Sequence, residues 1–498
     1  MKRLNYAALA ERDYPGYLLQ DAPEKILQFG EGNFLRGFVD DFFDILNEKG
    51  LFHGKCVVVQ PLAQGAGDVL NAQQGLYSLY LRRAGSSGPE TTRRVISVIS
   101  RVINPYTEKQ DFYACAANPE LRIIVSNTTE AGIAFRPEDL FDDMDASFPA
   151  KLTNFLWQRY VHFGNETGKG FLILSCELID DNGKILEDYV IRYARLWQLP
   201  EEFVSWISRE NTFCSTLVDR IITGYPRAEA AQMNENSGYE DAAIDTGEPF
   251  AFWAIEGPAW MKEELPFEQA GLPVRIVPDQ SGYKKRKVRI LNGAQTATTL
   301  GAFLAGLELE RDYMNDALFY SFIRSVMLDE VLPATDLDPD DMKAFASVCL
   351  ERLANPFIDH RLFDITLNSV PKWRARVLPT IKDYYKRFGV YPQRLTFSLA
   401  TLLAFYRCTE RDGHFYGTVD GRTYEVRDDT ATLRFFASVS REPADAYVNA
   451  YLQAQQLHGT DFQTMPGFGQ QVAAYLRSID RQGIRETIRR IHSKEVLL

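Results

Sequence analysis

The segment Tyr283-Lys-Lys-Arg-Lys287-Val-Arg-Ile-Leu-Asn292-Gly-Ala-Gln295 gathers side chains suited to one reaction. Laid on an α-helix at 100° per residue, Lys287, Asn292 and Gln295 fall within an arc of about 140°. A lysine beside two amides is the set that a ketone–alcohol interconversion needs. It supplies a proton donor and acceptor, and fixed donors for the developing alkoxide. An unperturbed lysine, with a pKa of about 10.4, holds its proton too tightly for reversible work near neutrality. Burial, or the neighbouring cations Lys284 and Arg286, would lower it. The same stretch also reads as a basic, solvated helix end, since five of the seven residues from 283 to 289 are Lys or Arg.

A second pattern, Gly30-Glu-Gly32-Asn-Phe-Leu35-Arg36, stands between a short apolar run and a helical one, where a dinucleotide-binding turn belongs. Gly30 would allow the tight turn. Gly32 would let the backbone approach a pyrophosphate, which free amides at the helix start then bind. The third glycine of the usual pattern is Leu35 here. The next apolar run ends in Gln60, not in the Asp or Glu that commonly grips the adenine ribose, and no arginine follows to hold a 2′-phosphate. NAD is therefore favoured over NADP. A third run leads into Asn127-Thr-Thr-Glu-Ala-Gly132, whose small polar side chains suit either a nicotinamide ribose or a plain Asn-capped loop.

The elements that must position these groups are legible in outline. Lys25-Ile-Leu-Gln-Phe29, Cys56-Val-Val-Val-Gln60, Arg122-Ile-Ile-Val-Ser126 and Gly170-Phe-Leu-Ile-Leu-Ser175 read as buried strands separated by helical patterns, the first over 33–46. Such alternation implies βαβ units and a parallel sheet. Runs at 77–81 and 94–98 read as an inserted hairpin. From about Asn292 helical patterns dominate: 294–307, 316–331, 340–353, 395–406 and 466–479. Between them, 414–426 reads as a hairpin turning at Asp420-Gly421. The expected fold class is α/β, a Rossmann-like N-terminal domain over 1–279 followed by a mostly α-helical domain over 280–498.

Composition sets the outer bounds. The chain has 498 residues, 45% hydrophobic and 24% charged, with net charge −12. That length is about three domain lengths and the composition is that of a globular protein. The acidic balance argues against nucleic acid or an anionic membrane as partner. Six scattered cysteines without a CxxC pair suit a reducing compartment. Neither a signal peptide nor a membrane span is visible, so a cytoplasmic location is expected. The six cysteines and six histidines show no metal-ligand spacing, so no metal is expected. His53, His162, His414, His458 and His492 read as surface or packing residues.

Taken in order, Gly30-Glu-Gly-Asn-Phe-Leu-Arg36, Ser126-Asn-Thr-Thr-Glu-Ala-Gly132, Ser175-Cys-Glu-Leu-Ile-Asp-Asp-Asn-Gly183, Thr212-Phe-Cys-Ser-Thr-Leu-Val-Asp-Arg-Ile221 and Lys287-x4-Asn292 resemble the mannitol dehydrogenase family of long-chain polyol-specific dehydrogenases. Gln28-Phe-Gly-Glu-Gly-Asn-Phe-Leu-Arg36 and Val218-Asp-Arg-Ile-Ile-Thr-Gly-Tyr-Pro-Arg227 carry a closer match to members acting on tagaturonate and altronate. The resemblance implies an NAD-binding Rossmann domain, a helical substrate domain, no metal and a lysine as general acid/base, in the pattern Lys-x4-Asn-x2-His.

Lys287 and Asn292 match that pattern, and Gln295 stands where the histidine would be. The implied cofactor set is Phe29, Gly30, Gly32, Asn33, Phe34, Arg36 and Asn127. Asp219, expected in a helix over 215–222, is an implied substrate or positioning residue. His360 and Lys372 lie in segments resembling the family's substrate-domain motif, and are candidates for the cations that a uronate carboxylate requires. The mannitol-type Asn after the acid of Ser-Cys-Asp-Asn is Leu178 here. The implied activity is hydride transfer between a keto-uronate and the matching hexonate, with a small-molecule sugar acid as partner. Fructuronate or a neutral hexitol as substrate is one alternative. Another is a cofactor- or sugar-acid-binding protein whose catalysis has lapsed, which Gln295 favours and Lys287 opposes.

Overall fold

In the computed structural model, which describes residues 1–85, 88–128 and 132–493, the β-branched runs become neighbouring strands. Residues Met1–Ser281 and Gly282–Leu498 form two compact units. In the first lie β1 (Glu24–Phe29), β2 (Lys55–Val59), β3 (Tyr77–Gly85), β4 (Gly88–Ile96), β5 (Ile99–Ile103), β6 (Ile123–Ser126), β7 (Leu172–Ser175), β8 (Thr212–Asp219), β9 (Asp245–Gly247), β10 (Phe252–Glu256) and β11 (Val274–Val277). The main sheet has the order β5-β2-β1-β6-β7-β8-β10-β11, and a smaller one the order β4-β3-β9. The main sheet is parallel except where β8 meets β10.

Alternate residues of the central strands feed two separate cores. Ile26, Val58, Ile123, Val125 and Leu172 point to one, packed by Phe38, Phe42 and Trp253. Leu27, Val57, Ile124 and Ile173 point to the other, packed by Phe155, Leu186 and Trp206 from the helices Phe148–Phe163, Asn182–Leu196 and Glu201–Glu210. A sheet covered on both faces is what continuous apolar runs demand.

Two expectations are corrected. The segment around Asp219 is strand β8 rather than a helix: Thr-Phe-Cys-Ser-Thr-Leu-Val-Asp is rich in β-branched and aromatic residues and occupies an interior place in the sheet. The helix expected over 33–46 is two helices, Asn33–Arg36 and Val39–Glu48. Phe38 leaves the helical region (φ −130°, ψ −73°) and buries its ring 5.5 Å from that of Trp253. The hairpin expected from the runs at 77–81 and 94–98 is present as β3 and β4, paired antiparallel from Tyr77 opposite Ile96, and β5, which follows from Ile99, lies in the main sheet. The chain crosses over at Ser97, whose backbone N–H and hydroxyl both donate to buried Asp44.

The second unit is mainly helical. The helix Ser281–Lys287 continues into a π turn, Val288–Gly293, and then into Ala294–Leu304. Ala294–Leu304 packs on Gln393–Phe405, which packs on Phe468–Ser493. The pattern expected as one helix over 316–331 is Ala317–Ser325 followed by a second π turn, Val326–Val331. The expected hairpin is β13 (His414–Val419) and β14 (Arg422–Glu425), turning at Asp420 and Gly421 with φ 48° and 76°. An unforeseen β12 (Cys408–Arg411) pairs with β13. No helix among the described residues is long and apolar enough to cross a membrane.

Candidate active site

In the first unit the chain runs from β1 out to β2 and β5 on one side, then returns to β6 on the other. The crevice at the carboxyl ends of β1 and β6 is therefore the topological switch point, where open α/β sheets bind ligands. Phe29 pairs with Ser126 across it, so the Gly30 turn and Asn127 emerge side by side. Gly30 has φ +121°, a conformation closed to side chains. Gly32 has ordinary extended angles (φ −65°, ψ 159°), is exposed, and a Cβ there would meet no atom within 4 Å. One glycine is required by the fold; the other leaves bare backbone facing outward.

The remaining members of the expected cofactor set hold the turn rather than line it. Phe29 is buried edge-on to Phe112 and Phe148. Phe34 stacks on Phe38. Arg36 is buried and donates to Glu31 O (3.1 Å), Ala243 O (2.6 Å) and Asn33 Oδ1 (2.6 Å). Asn33 itself is exposed, with its amide beside Gly224. Asn127 donates to Cys176 O at the end of β7 (2.6 Å). The following loop, residues 129–131, lies outside the described residues. Burial raises the pKa of the Glu177 carboxyl, which accepts from Thr128 N.

Gln60, just past the end of β2, is folded back on its own loop. Its Nε2 donates to Leu62 O (2.7 Å) and its Oε1 accepts from Gly67 N (3.2 Å). The acid at this edge is Glu31, between the two glycines. Its Oε1 accepts from Ala66 N (3.3 Å), and its buried Oε2 has no partner among the described residues. The usual place for an acid that binds a ribose is the end of the second strand, so an acid on the turn itself carries no familiar signal in sequence.

Asp219 is buried at the end of β8. Its neighbour Arg220 donates to Asp41 (2.7 Å), Gly37 O (2.8 Å) and Glu248 O (2.9 Å), the Arg220–Asp41 pair being almost wholly buried.

In the second unit, Lys287 ends the α-helix Ser281–Lys287 and Asn292 lies within the π turn that follows. Its i→i+5 bonding adds a residue to the turn, so residues five apart come closer to one azimuth than on an α-helix. The surrounding basic run is ion-paired rather than diffusely solvated. Arg286 chelates Asp341 (2.6 and 2.8 Å), Lys285 meets Asp336, and Arg289 donates to Thr380 (2.6 Å) and Asp383 (2.9 Å).

Gln295 donates from Nε2 to Glu310 Oε1 (2.6 Å), and His360 contacts Glu310 Oε2 through Nδ1 (2.8 Å). Buried Tyr313 also donates to Glu310 Oε1 (3.2 Å). Glu310 is buried and is held to His360 by backbone as well, its N–H donating to His360 O (3.0 Å). The hydrogen bond to Glu310 raises the His360 pKa. Lys372 donates to Ile365 O (3.0 Å); burial, then the nearby Arg376, lowers its pKa. Glu310 gave no signal in sequence. It sits in the first turn of the helix Glu310–Asn315, where an acid is ordinary, and its partners are 15 and 50 residues away.

Comparison with known proteins agrees with this architecture. Residues 24–269 match the mannitol dehydrogenase Rossmann domain, and residues 279–480 the mannitol dehydrogenase C-terminal domain. The chain is 42% identical over 496 residues to an altronate oxidoreductase of Klebsiella pneumoniae (strain 342), covering 98% of this chain and 99% of that one. It is likewise 42% identical over 497 residues to the altronate oxidoreductase of Shigella flexneri serotype 5b (strain 8401), with the same coverage. Among solved structures, a ternary complex of Pseudomonas fluorescens mannitol 2-dehydrogenase with NAD and D-mannitol superposes with TM-score 0.70 at 23% identity, over 99% of this chain and 100% of that one. A substrate-free D-sorbitol dehydrogenase superposes with TM-score 0.78 at 20% identity, over 95% and 96% of the two chains. With both family domains matched along nearly all of its length, the chain belongs to the mannitol dehydrogenase family.

Proposed function

We propose that this protein is an NAD-dependent oxidoreductase that interconverts tagaturonate and altronate. The near-full-length likeness to altronate oxidoreductases carries the substrate assignment. The placement of Glu31 supports NAD over NADP. A carboxylate oxygen buried without a partner beside the glycine turn suits a ribose hydroxyl and repels a 2′-phosphate. The bare backbone at Gly32 suits the close approach of a pyrophosphate.

The bound cofactor supplies or accepts the hydride at the substrate's carbonyl or carbinol carbon. Lys287 Nζ gives the proton to the new alkoxide in reduction and takes it back in oxidation. Asn292 donates to the same oxygen, a fixed dipole whose loss typically slows such reactions by about 10²–10³. Gln295, where a histidine stands elsewhere in the family, cannot ionise, so the proton is handled by Lys287. His360 and Lys372 answer the carboxylate, and Asp219 a substrate hydroxyl.

NADH oxidation measured with tagaturonate, fructuronate and fructose tests the assignment. Tagaturonate should be turned over with the highest kcat/KM. Equal efficiency on fructose would exclude the sugar-acid reading, and no turnover on any of the three would favour a lapsed enzyme.

A further inference from the structure

We propose that Glu310 is a positioning residue: one buried carboxylate ties Gln295 and His360 into a unit and presents Nε2–H of His360 as the donor for the substrate's carboxylate. The proposal rests on the sugar-acid reading above, and adds a residue that neither motif nor spacing indicated.

The geometry leaves little choice of roles. A carboxylate only accepts, so Gln295 must face Glu310 with its amide nitrogen, as the 2.6 Å contact has it. That fixes the flip of the amide and turns its carbonyl oxygen away. By the same rule the 2.8 Å contact from His360 is an Nδ1–H donation, which leaves Nε2 as the outward atom. The Glu310 side chain is 5% exposed and that of His360 is 43% exposed, so one end of the unit is anchored in the core and the other is accessible. Tyr313 adds a third donor to Glu310, and the backbone bridge between Leu309 and Arg361 holds the two segments in register.

The charges around His360 come from three elements. Glu310, on Glu310–Asn315, and Asp364, on Leu362–Ile365, favour the imidazolium; Lys372, on Ser369–Arg376, opposes it, as does burial. The hydrogen bond to Glu310 is the largest influence, and the net direction is upward from the usual 6.5. Below that raised pKa both ring nitrogens carry hydrogen and Nε2 is a charge-assisted donor. Above it the Nδ1–H stays on Glu310 and Nε2 becomes a lone pair, which repels a carboxylate.

The test is an NMR titration of histidine ring protons in the full-length protein, with the His360 signal identified by its loss in His360→Gln. His360 should titrate above pH 6.5 in the parent and at or below 6.5 in Glu310→Gln. A parent His360 that titrates at or below 6.5, or one unmoved by Glu310→Gln, overturns the proposal. Kinetics provide the second reading. At a pH below the parent's own His360 titration, Glu310→Gln should raise KM for tagaturonate about tenfold and leave KM for NADH unmoved, because a charge-assisted bond is lost. His360→Gln should give the same rise, with the alkaline rise in KM abolished. An unchanged KM in either variant overturns the donor role even where the titration shift is present. The titration needs no substrate, so a shift that depends on Glu310 in an enzyme with no preference for acids would instead strike the sugar-acid reading and, with it, the carboxylate as the donor's target.

Discussion

The two glycines of the turn make opposite predictions, and together they locate the cofactor. Gly32 has φ −65° and ψ 159°, and a Cβ there touches nothing within 4 Å. Gly32→Val should therefore fold as well as the parent; fewer unfolded conformations should even favour it by some tenths of a kcal/mol. If the pyrophosphate reaches the backbone here, the added methyls hold it off and one charge-assisted N–H bond is lost. That is about 1.5–3 kcal/mol, or roughly 10- to 150-fold in Kd for NADH. Gly30, at φ +121°, behaves the other way. Gly30→Ala forces a side chain into a region that costs about 1–3 kcal/mol, so the melting temperature should drop by a few degrees. Thermal unfolding and NADH fluorescence titration on the same samples separate the effects. A Gly32→Val protein with unchanged melting temperature and unchanged NADH affinity would refute this placement of the cofactor. A Gly32→Val protein that melts early would show that the turn is not open.

Glu31→Gln removes the charge that repels a 2′-phosphate, so the ratio of kcat/KM for NADPH over NADH should rise roughly tenfold; an unchanged ratio assigns cofactor choice elsewhere. Lys287→Ala should abolish nearly all turnover and leave NADH affinity intact, while Asn292→Ala should cost about 10²–10³ in kcat; substantial turnover in Lys287→Ala would remove the lysine as acid/base. Asp40 accepts from Tyr77 (3.2 Å), and burial pushes its pKa up to about 7 from the usual 3.8. A pKa raised in the folded state favours folding fully at acid pH, and that contribution, on the order of 4 kcal/mol, is lost as pH rises to about 7. Asp40→Asn does not titrate, so its melting temperature should gain on the parent's between about pH 5 and about pH 8; a constant difference would contradict a buried, titrating Asp40.

The parts of the fold that sequence revealed are those whose burial writes a simple pattern. β1, β2, β6 and β7 are covered on both faces and read as unbroken apolar runs. The segment Val218-Asp-Arg-Ile-Ile misled because its apolar spacing satisfies either period, and only its neighbours β7 and β10 decide for a strand. The crossover at Ser97 was hidden because Val95, Ile96, Val98 and Ile99 are all buried although they lie on either side of it. For the site, local motifs pointed to the glycine turn and to Lys287 and Asn292. Glu310 escaped because its meaning lies in partners far along the chain. The π turn escaped because no residue type demands one, so the arc drawn on an ideal helix was set by the wrong turn.

The fastening of the glycine turn bears on how fast a dinucleotide can bind. Arg36 grips Glu31 O, Ala243 O and Asn33 from beneath, and Arg220 grips Gly37 O and Asp41. These are contacts within the folded chain, in place before any ligand arrives. The conformational entropy of this loop is therefore lost during folding and not again at association. Capture should proceed at a rate set by diffusion and orientation rather than by loop closure, with no lag and little change in amide hydrogen exchange over 33–37 when NADH is added.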